Sequence, residues 1–255
     1  MRKYVKTAYL ASLEKTNNGL LYLFPYILIK IFTLIGLIFI WKVVMSSGVD
    51  VGMNMKQMLT YTYISALLAD MLVVRTAASG WLSEGVLQKL YGHPLSVIGQ
   101  LIAHTIGGWI PTLLLFSLPM ILISSLLEVS LVPDSILFLP SLLLCITLGF
   151  AIDLLFACLS LKLKSMNWLI SRIRMAIAAV LSGTIIPIRL LPFEMAEIMM
   201  YQPYASLGGA PLSIFVGTPD KSRIIALQLF WNIVLWPIAL FIWNKSKEEM
   251  VSYGG

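Results

Sequence analysis

The sequence predicts an all-α membrane protein with six transmembrane helices, and three observations predict it. Of 255 residues, 59% are hydrophobic and only 12% charged, against about 25% charged in an ordinary soluble domain. The apolar residues gather into runs near the length of roughly 20 residues that crosses a bilayer. Leu and Ile carry those runs, the composition that the hydrocarbon core favours. A water-soluble core of this size would leave too few polar residues to coat its surface. Six spans also leave no stretch long enough for a soluble domain of the usual size, about 50 residues or more, so any function that needs one must borrow it.

In chain order, residues 1–19 read as an N-terminal interfacial helix, with Val5, Tyr9 and Leu13 at i, i+4 and i+8 and Lys3, Lys6 and Lys15 around them. The spans follow at about 20–44, 58–74, 98–125, 136–161, 168–186 and 224–243, making residues 1–255 one transmembrane domain. The first run is too long for the apolar core of a cleaved signal peptide. The fifth holds Arg172 and Arg174 near its start and Gly183 and Pro187 near its end, which predicts a tilted, broken or shallow helix. Between spans five and six, the stretches 191–202 and 205–216 are interrupted by Pro192, Pro203, Gly208 and Gly209. Each is too short to cross. They are expected as re-entrant outer half-helices, tolerated where neighbouring helices or a water-filled cavity cover their backbone.

Charge sets the orientation. With the N-terminus inside, the inner segments hold Arg2, Lys3, Lys6, Lys15, Arg75, Lys89, Lys162, Lys164, Arg172, Arg174, Lys245 and Lys247, and the outer ones only Lys42, Lys56, Arg189, Lys221 and Arg223. The positive-inside rule then puts both termini in the cytoplasm. The net charge of +6 belongs to this flanking pattern and to attraction for anionic lipid, with no nucleic-acid partner implied.

The chemistry that is missing narrows the function. No Gly-x-x-x-x-Gly-Lys-Ser/Thr and no Gly-x-Gly-x-x-Gly occurs, so the sequence holds neither familiar nucleotide cradle. His-Glu-x-x-His and Gly-x-Ser-x-Gly are absent too, which disfavours a membrane protease or metalloenzyme, and no catalytic, cofactor-binding or metal-ligating residue is assigned. Cys145 and Cys158 lie inside one apolar run and read as packing residues. The intramembrane polar residues are Lys30, Asp70 and Asp153, with His104 as a neutral companion. Each charge costs up to about 3 kcal/mol near the bilayer centre and so faces protein or water. Three readings stand open: a relay or polar pathway, a structural pair of Lys30 with Asp70 or Asp153, and snorkelling to the interface. A proton-coupled secondary carrier would use the same three charges.

The segment after the second span is a short amphipathic cytoplasmic helix. Leu82, Val86 and Leu90 share a face, Gly92 supplies a C-cap and Pro94 a stop. A loop helix lying on the headgroups has the same composition.

Glu84-Gly85-x-Leu87-x-x-Leu90-Tyr91-x-x-Pro94-Leu95-Ser96, followed by Ser182-Gly183-x-x-x-Pro187, Leu191-Pro192, Pro203 and Ala210-Pro211-x-x-x-x-x-Gly217, resembles the ABC-2 type permease, the membrane subunit of a class of ATP-binding-cassette exporters. The order of the motifs carries the likeness more than any one of them. The resemblance implies a permease without ATPase activity, with ATP and Mg²⁺ on a separate ATPase subunit. It implies a coupling helix over Gly80–Tyr91 in which Trp81, Glu84, Gly85, Leu87, Leu90 and Tyr91 meet that ATPase. It implies an exit gate around Pro187, Pro192, Pro203, Gly208 and Gly209. It further implies a homo- or heterodimer of permeases, with the pathway running between them. The short loops and the lack of a soluble domain fit a bacterial plasma membrane.

Overall fold

A computed structural model of the chain describes residues 2–17, 20–48, 52–83, 86–127, 129–163, 166–191 and 195–246. Among them every regular element is helical. Four helices are long and apolar enough to cross a membrane: Leu23–Ser46, Val97–Leu127, Phe138–Lys162 and Lys221–Lys245. They correspond to the first, third, fourth and sixth expected spans.

Helix α1, Arg2–Asn17, docks along the length of α6, Val97–Thr112. Gly107 makes this approach feasible, because a Cβ there would fall 2.0 Å from the carbonyl oxygen of Ala8. Tyr4 pairs with the Ser96 hydroxyl at 3.3 Å, and Lys15 donates to the carbonyl of Gly108 at 2.7 Å. The stripe of Val5, Tyr9 and Leu13 stays exposed. The apolar face expected to meet lipid is thus the face that the protein leaves open.

Helix α2, Leu20–Ser46, packs against α3, Met55–Leu72. An Asn54/Gln57 capping box starts α3, with Gln57 N–H donating to Asn54 Oδ1 at 2.8 Å and Asn54 N–H to Gln57 Oε1 at 3.0 Å. This cap sets the start upstream of the expected residue 58. Two six-residue helices follow, α4 (Ala78–Ser83) and α5 (Val86–Tyr91). Where one helix was expected over Gly80–Tyr91, the structure has helix on either side of residues 84–85.

The third span runs from α6 through a π-helical stretch, Leu113–Ser117, into α7, Leu118–Ile123, and a closing 3₁₀ turn, Ser124–Leu127. Pro111 and Pro119 flank the π stretch. Neither can donate to the helical ladder, so the widened turn falls where the ladder is weakest. Helix α8, Phe138–Lys162, is covered on one side by α12, Lys221–Lys245, and on another by α9, Asn167–Leu181. At 15 residues, α9 reaches only about 22 Å, short of the roughly 30 Å core. Gly183, at φ +74°, turns the chain away two residues later. Two short helices, α10 (Met195–Met199) and α11 (Gly209–Phe215), complete the described elements.

The main core gathers Tyr61, Tyr63, Leu67 and Leu72 of α3, Leu148 and Ile152 of α8, and Leu212 and Ile214 of α11. A second cluster joins the ends of α6, α8 and α12 through Leu101, Leu161 and Trp243. It lies beneath α4 and α5.

Candidate functional site

Ile170, Arg174 and Ala178 recur one turn apart and form the buried face of α9. Arg174 is therefore carried into the protein, whereas Arg172 is exposed. The Arg174 guanidinium pairs with Asp153 of α8 and donates to the carbonyl of Val74. Asp153 also accepts from the Thr76 hydroxyl and, at 3.1 Å, from the Thr76 N–H. A buried carboxylate left alone would cost several kcal/mol; this one has a cation and two donors. Thr76 Oγ1 in turn accepts from the Ala78 N–H at 3.1 Å, capping α4. One ion pair thus ties α8, α9 and the end of α3 to the start of the helical pair α4–α5.

The second pair is Lys30 with Asp70, at 3.2 Å. Tyr26 donates its hydroxyl to the same carboxylate at 2.6 Å, and the Lys30 ammonium lies 5.0 Å from the centre of the Tyr26 ring and 5.3 Å from that of Phe116. His104 stands 3.8 Å from Glu14 and meets the edge of Trp81, with ring centres 4.6 Å apart. The polar residues expected inside the membrane therefore do not form one relay. Lys30 takes Asp70 and Asp153 takes Arg174, a residue that the sequence places near the start of the fifth span among the inner positive charges. The signal that could have found it is the i, i+4, i+8 spacing of Ile170, Arg174 and Ala178.

These groups border a cavity of about 700 Å³, lined among others by Lys15, Tyr26, Asp70, Arg75, His104 and Arg174. Its size is that of a ligand pocket.

Helices α4 and α5 turn apolar side chains inward. Trp81, Leu90 and Tyr91 pack on the cluster that contains Val97, Leu101, Leu161 and Trp243. The Gln100 amide of α6 donates to the carbonyls of Leu90 at 3.2 Å and Leu95 at 3.1 Å. Glu84 and Gly85, singled out with them, lie outside the described residues, as does the Leu87 side chain.

The Pro/Gly segment is packed tight. Pro187, Gly208 and Gly209 are buried and Pro203 is partly so; Pro192 lies outside the described residues. Gly209 N–H donates to the Ser182 carbonyl at 2.6 Å, and a Cβ on Gly208 would fall 2.1 Å from Thr184 Cγ2. The non-helical carbonyls of Gly183 and Thr184 accept from Tyr61, at 2.5 Å, and from Ser65, at 2.6 Å. Gln228 of α12 donates to the Ser206 carbonyl at 2.9 Å. Of the short helices here, α11 is deeply buried, with Leu212 and Ile214 inaccessible. The adjoining cavity of about 40 Å³ has room for only a few waters. Gly183, Thr184 and α11 are thus packed against α3.

A family model described as ABC-2 family transporter protein matches residues 31–254, nearly the whole chain beyond α1. No curated protein matches the chain.

Proposed function

The chain belongs to the ABC-2 family of transporter proteins, and from that premise we propose that it is the membrane-spanning permease subunit of an ATP-driven exporter, coupled to separate ATPase subunits. Membership makes it a multi-pass membrane protein and a membrane component of an ATP-binding-cassette transporter. Direction, coupling and assembly are the proposed part.

The observation that carries the coupling is the seating of α4 and α5. Their inner faces rest on the ends of three long helices, and the start of α4 is held by Thr76 against the Asp153–Arg174 pair. A push on this pair of helices is thereby delivered to α6, α8, α9 and α12 together. In this reading an ATPase docks on the outer side of 78–91, and ATP binding biases an inward-open to outward-open equilibrium through that contact. ATP and Mg²⁺ stay on the ATPase. Helices α3 and α9 act as the second and fifth of six spans; α3 is enclosed by its neighbours, which relaxes the demand that it be apolar. The packed stretches 182–184 and 205–215 form the outer gate, and a second permease copy or a similar chain completes the pathway. In this reading both termini face the cytoplasm of a bacterial cell, an orientation that the Lys and Arg distribution supports. The reading as a proton-coupled carrier has less support, because Lys30, Asp70 and Asp153 belong to two separate ion pairs.

Cysteine crosslinking tests the docking. Gly80 is exposed, a Cβ there meets nothing within 4 Å, and the native Cys145 and Cys158 are buried. Gly80→Cys is expected to crosslink to an ABC ATPase in native membranes, while Phe39→Cys, on the exposed face of α2, is not. Equal yields from both positions, or none from Gly80→Cys beside a working ABC control, would reject the assignment.

A further inference from the structure

Pairing off the charges around the 700 Å³ cavity leaves two cations over. Asp70 is taken by Lys30 and Tyr26, Asp153 by Arg174 and Thr76, and Glu14 faces His104. Among the described residues Lys15 reaches only neutral acceptors, the Gly108 carbonyl at 2.7 Å and the Thr112 hydroxyl at 3.3 Å, with the Tyr26 ring 5.9 Å away. Arg75, on the cavity wall, has no hydrogen bond or ion pair among the described residues, yet its charge bears on Lys15. Burial holds the Lys15 ammonium below the usual lysine range, with Lys30 and Arg75 adding to the effect against the pull of Asp70. An anion in the cavity would offset that cost.

We propose that this cavity is a binding site for a phosphate-bearing anion, held by Lys15 and Arg75. The charge balance selects among such anions. Lys15, Lys30, Arg75 and Arg174 face Glu14, Asp70 and Asp153, a surplus of one positive charge, which matches a singly charged phosphodiester better than a doubly charged monoester. The walls select further. Leu23, Val73 and Trp109 add apolar lining, Leu21, Phe24 and Leu28 on the same helix as Leu23 are exposed, and the outer stripe of α1 is exposed as well. A charged head beside apolar walls, next to lipid-facing helices, fits the headgroup of an anionic lipid, a ligand that basic pockets between membrane helices take. Charge-assisted bonds from Lys15 and Arg75 would hold its phosphate oxygens. The site stands whether or not the chain exports anything.

The test is native mass spectrometry of the full chain in detergent, titrated with phosphatidylglycerol, phosphatidylcholine or sn-glycerol 3-phosphate. Phosphatidylglycerol is expected to be retained over phosphatidylcholine. The double variant Lys15→Met with Arg75→Gln should lower that retention about tenfold or more, and Lys15→Arg should keep it. Arg75→Gln alone removes an exposed side chain with no internal bond, so its lipid-free melting temperature should equal the parent's while its retention falls several-fold. Retention of sn-glycerol 3-phosphate equal to that of the lipid would uphold the anion site and assign it to a soluble phosphate. Equal retention of phosphatidylcholine and phosphatidylglycerol, or variants that bind as the parent does, would overturn it.

Discussion

Helices α2 and α3 are neighbours that invert the usual link between hydrophobicity and burial. Helix α2 is an almost unbroken apolar run, yet only Leu23, Leu34 and Trp41 of its described side chains are buried. Helix α3 carries Thr60, Tyr61, Thr62, Tyr63 and Ser65, and every residue from Met58 to Ser65 is buried. In water the apolar helix would be the inner one. In a bilayer the outer face meets hydrocarbon, so it is the helix wrapped in protein that can hold polar groups, provided each finds a partner. Those of α3 do: Tyr61 and Ser65 satisfy the carbonyls of Gly183 and Thr184, and Ser117 donates to the α3 carbonyl of Leu67 at 2.8 Å. The polar helix is what permits irregular backbone at 182–184 inside the protein.

Graded substitutions sharpen this contrast. The largest effect is expected where α9 meets α8, since Arg174→Ala would leave Asp153 buried without its cation. A loss of about 3–5 kcal/mol, seen as a collapse of the melting temperature in detergent, is expected, and adding Asp153→Ala should recover most of it. A change under about 1 kcal/mol would mean that the pair is not buried as described. Tyr61→Phe keeps the ring and removes the bond to Gly183; about 1 kcal/mol is expected, and no change at all would mean that the carbonyl finds water. The smallest effect belongs to α2. Phe32→Leu, at a side chain 70% exposed, should shift stability by less than about 0.5 kcal/mol. A loss there as large as that for Tyr61→Phe would show that this face of α2 contacts protein in the assembled state.

The same contrast explains what the sequence made legible. The four long helices fall close to their expected limits because lipid-facing runs advertise themselves by length and by Leu and Ile content: 136–161 was expected and Phe138–Lys162 is observed, 224–243 was expected and Lys221–Lys245 is observed. Helices α3 and α9 were expected as helices, but neither matches a lipid-facing span in composition and length together. Pro187, Gly208 and Gly209 were recognisable as helix breakers. That they pack against α3 depends on Tyr61, Ser65 and the close approach of Gly208 to Thr184, contacts over a hundred residues apart in sequence or set by a turn geometry that no periodicity encodes. The partner of Lys30 stayed open between two aspartates, since both choices satisfy the same electrostatics. The pairing of Arg174 with Asp153 is not legible from counting charges by loop, because the count ignores which face of a helix each one occupies. Lys15, counted among the positive-inside charges, is likewise a cavity residue.

Affinity purification of the chain from its native membrane in mild detergent, with mass spectrometric identification of what accompanies it, tests the central claim most directly. An ABC ATPase is expected to co-purify with the chain and to support ATP-dependent transport when the two are reconstituted together. Recovery of the chain without any ATPase, under conditions that preserve a control ABC complex, would contradict its role as an ATP-coupled permease.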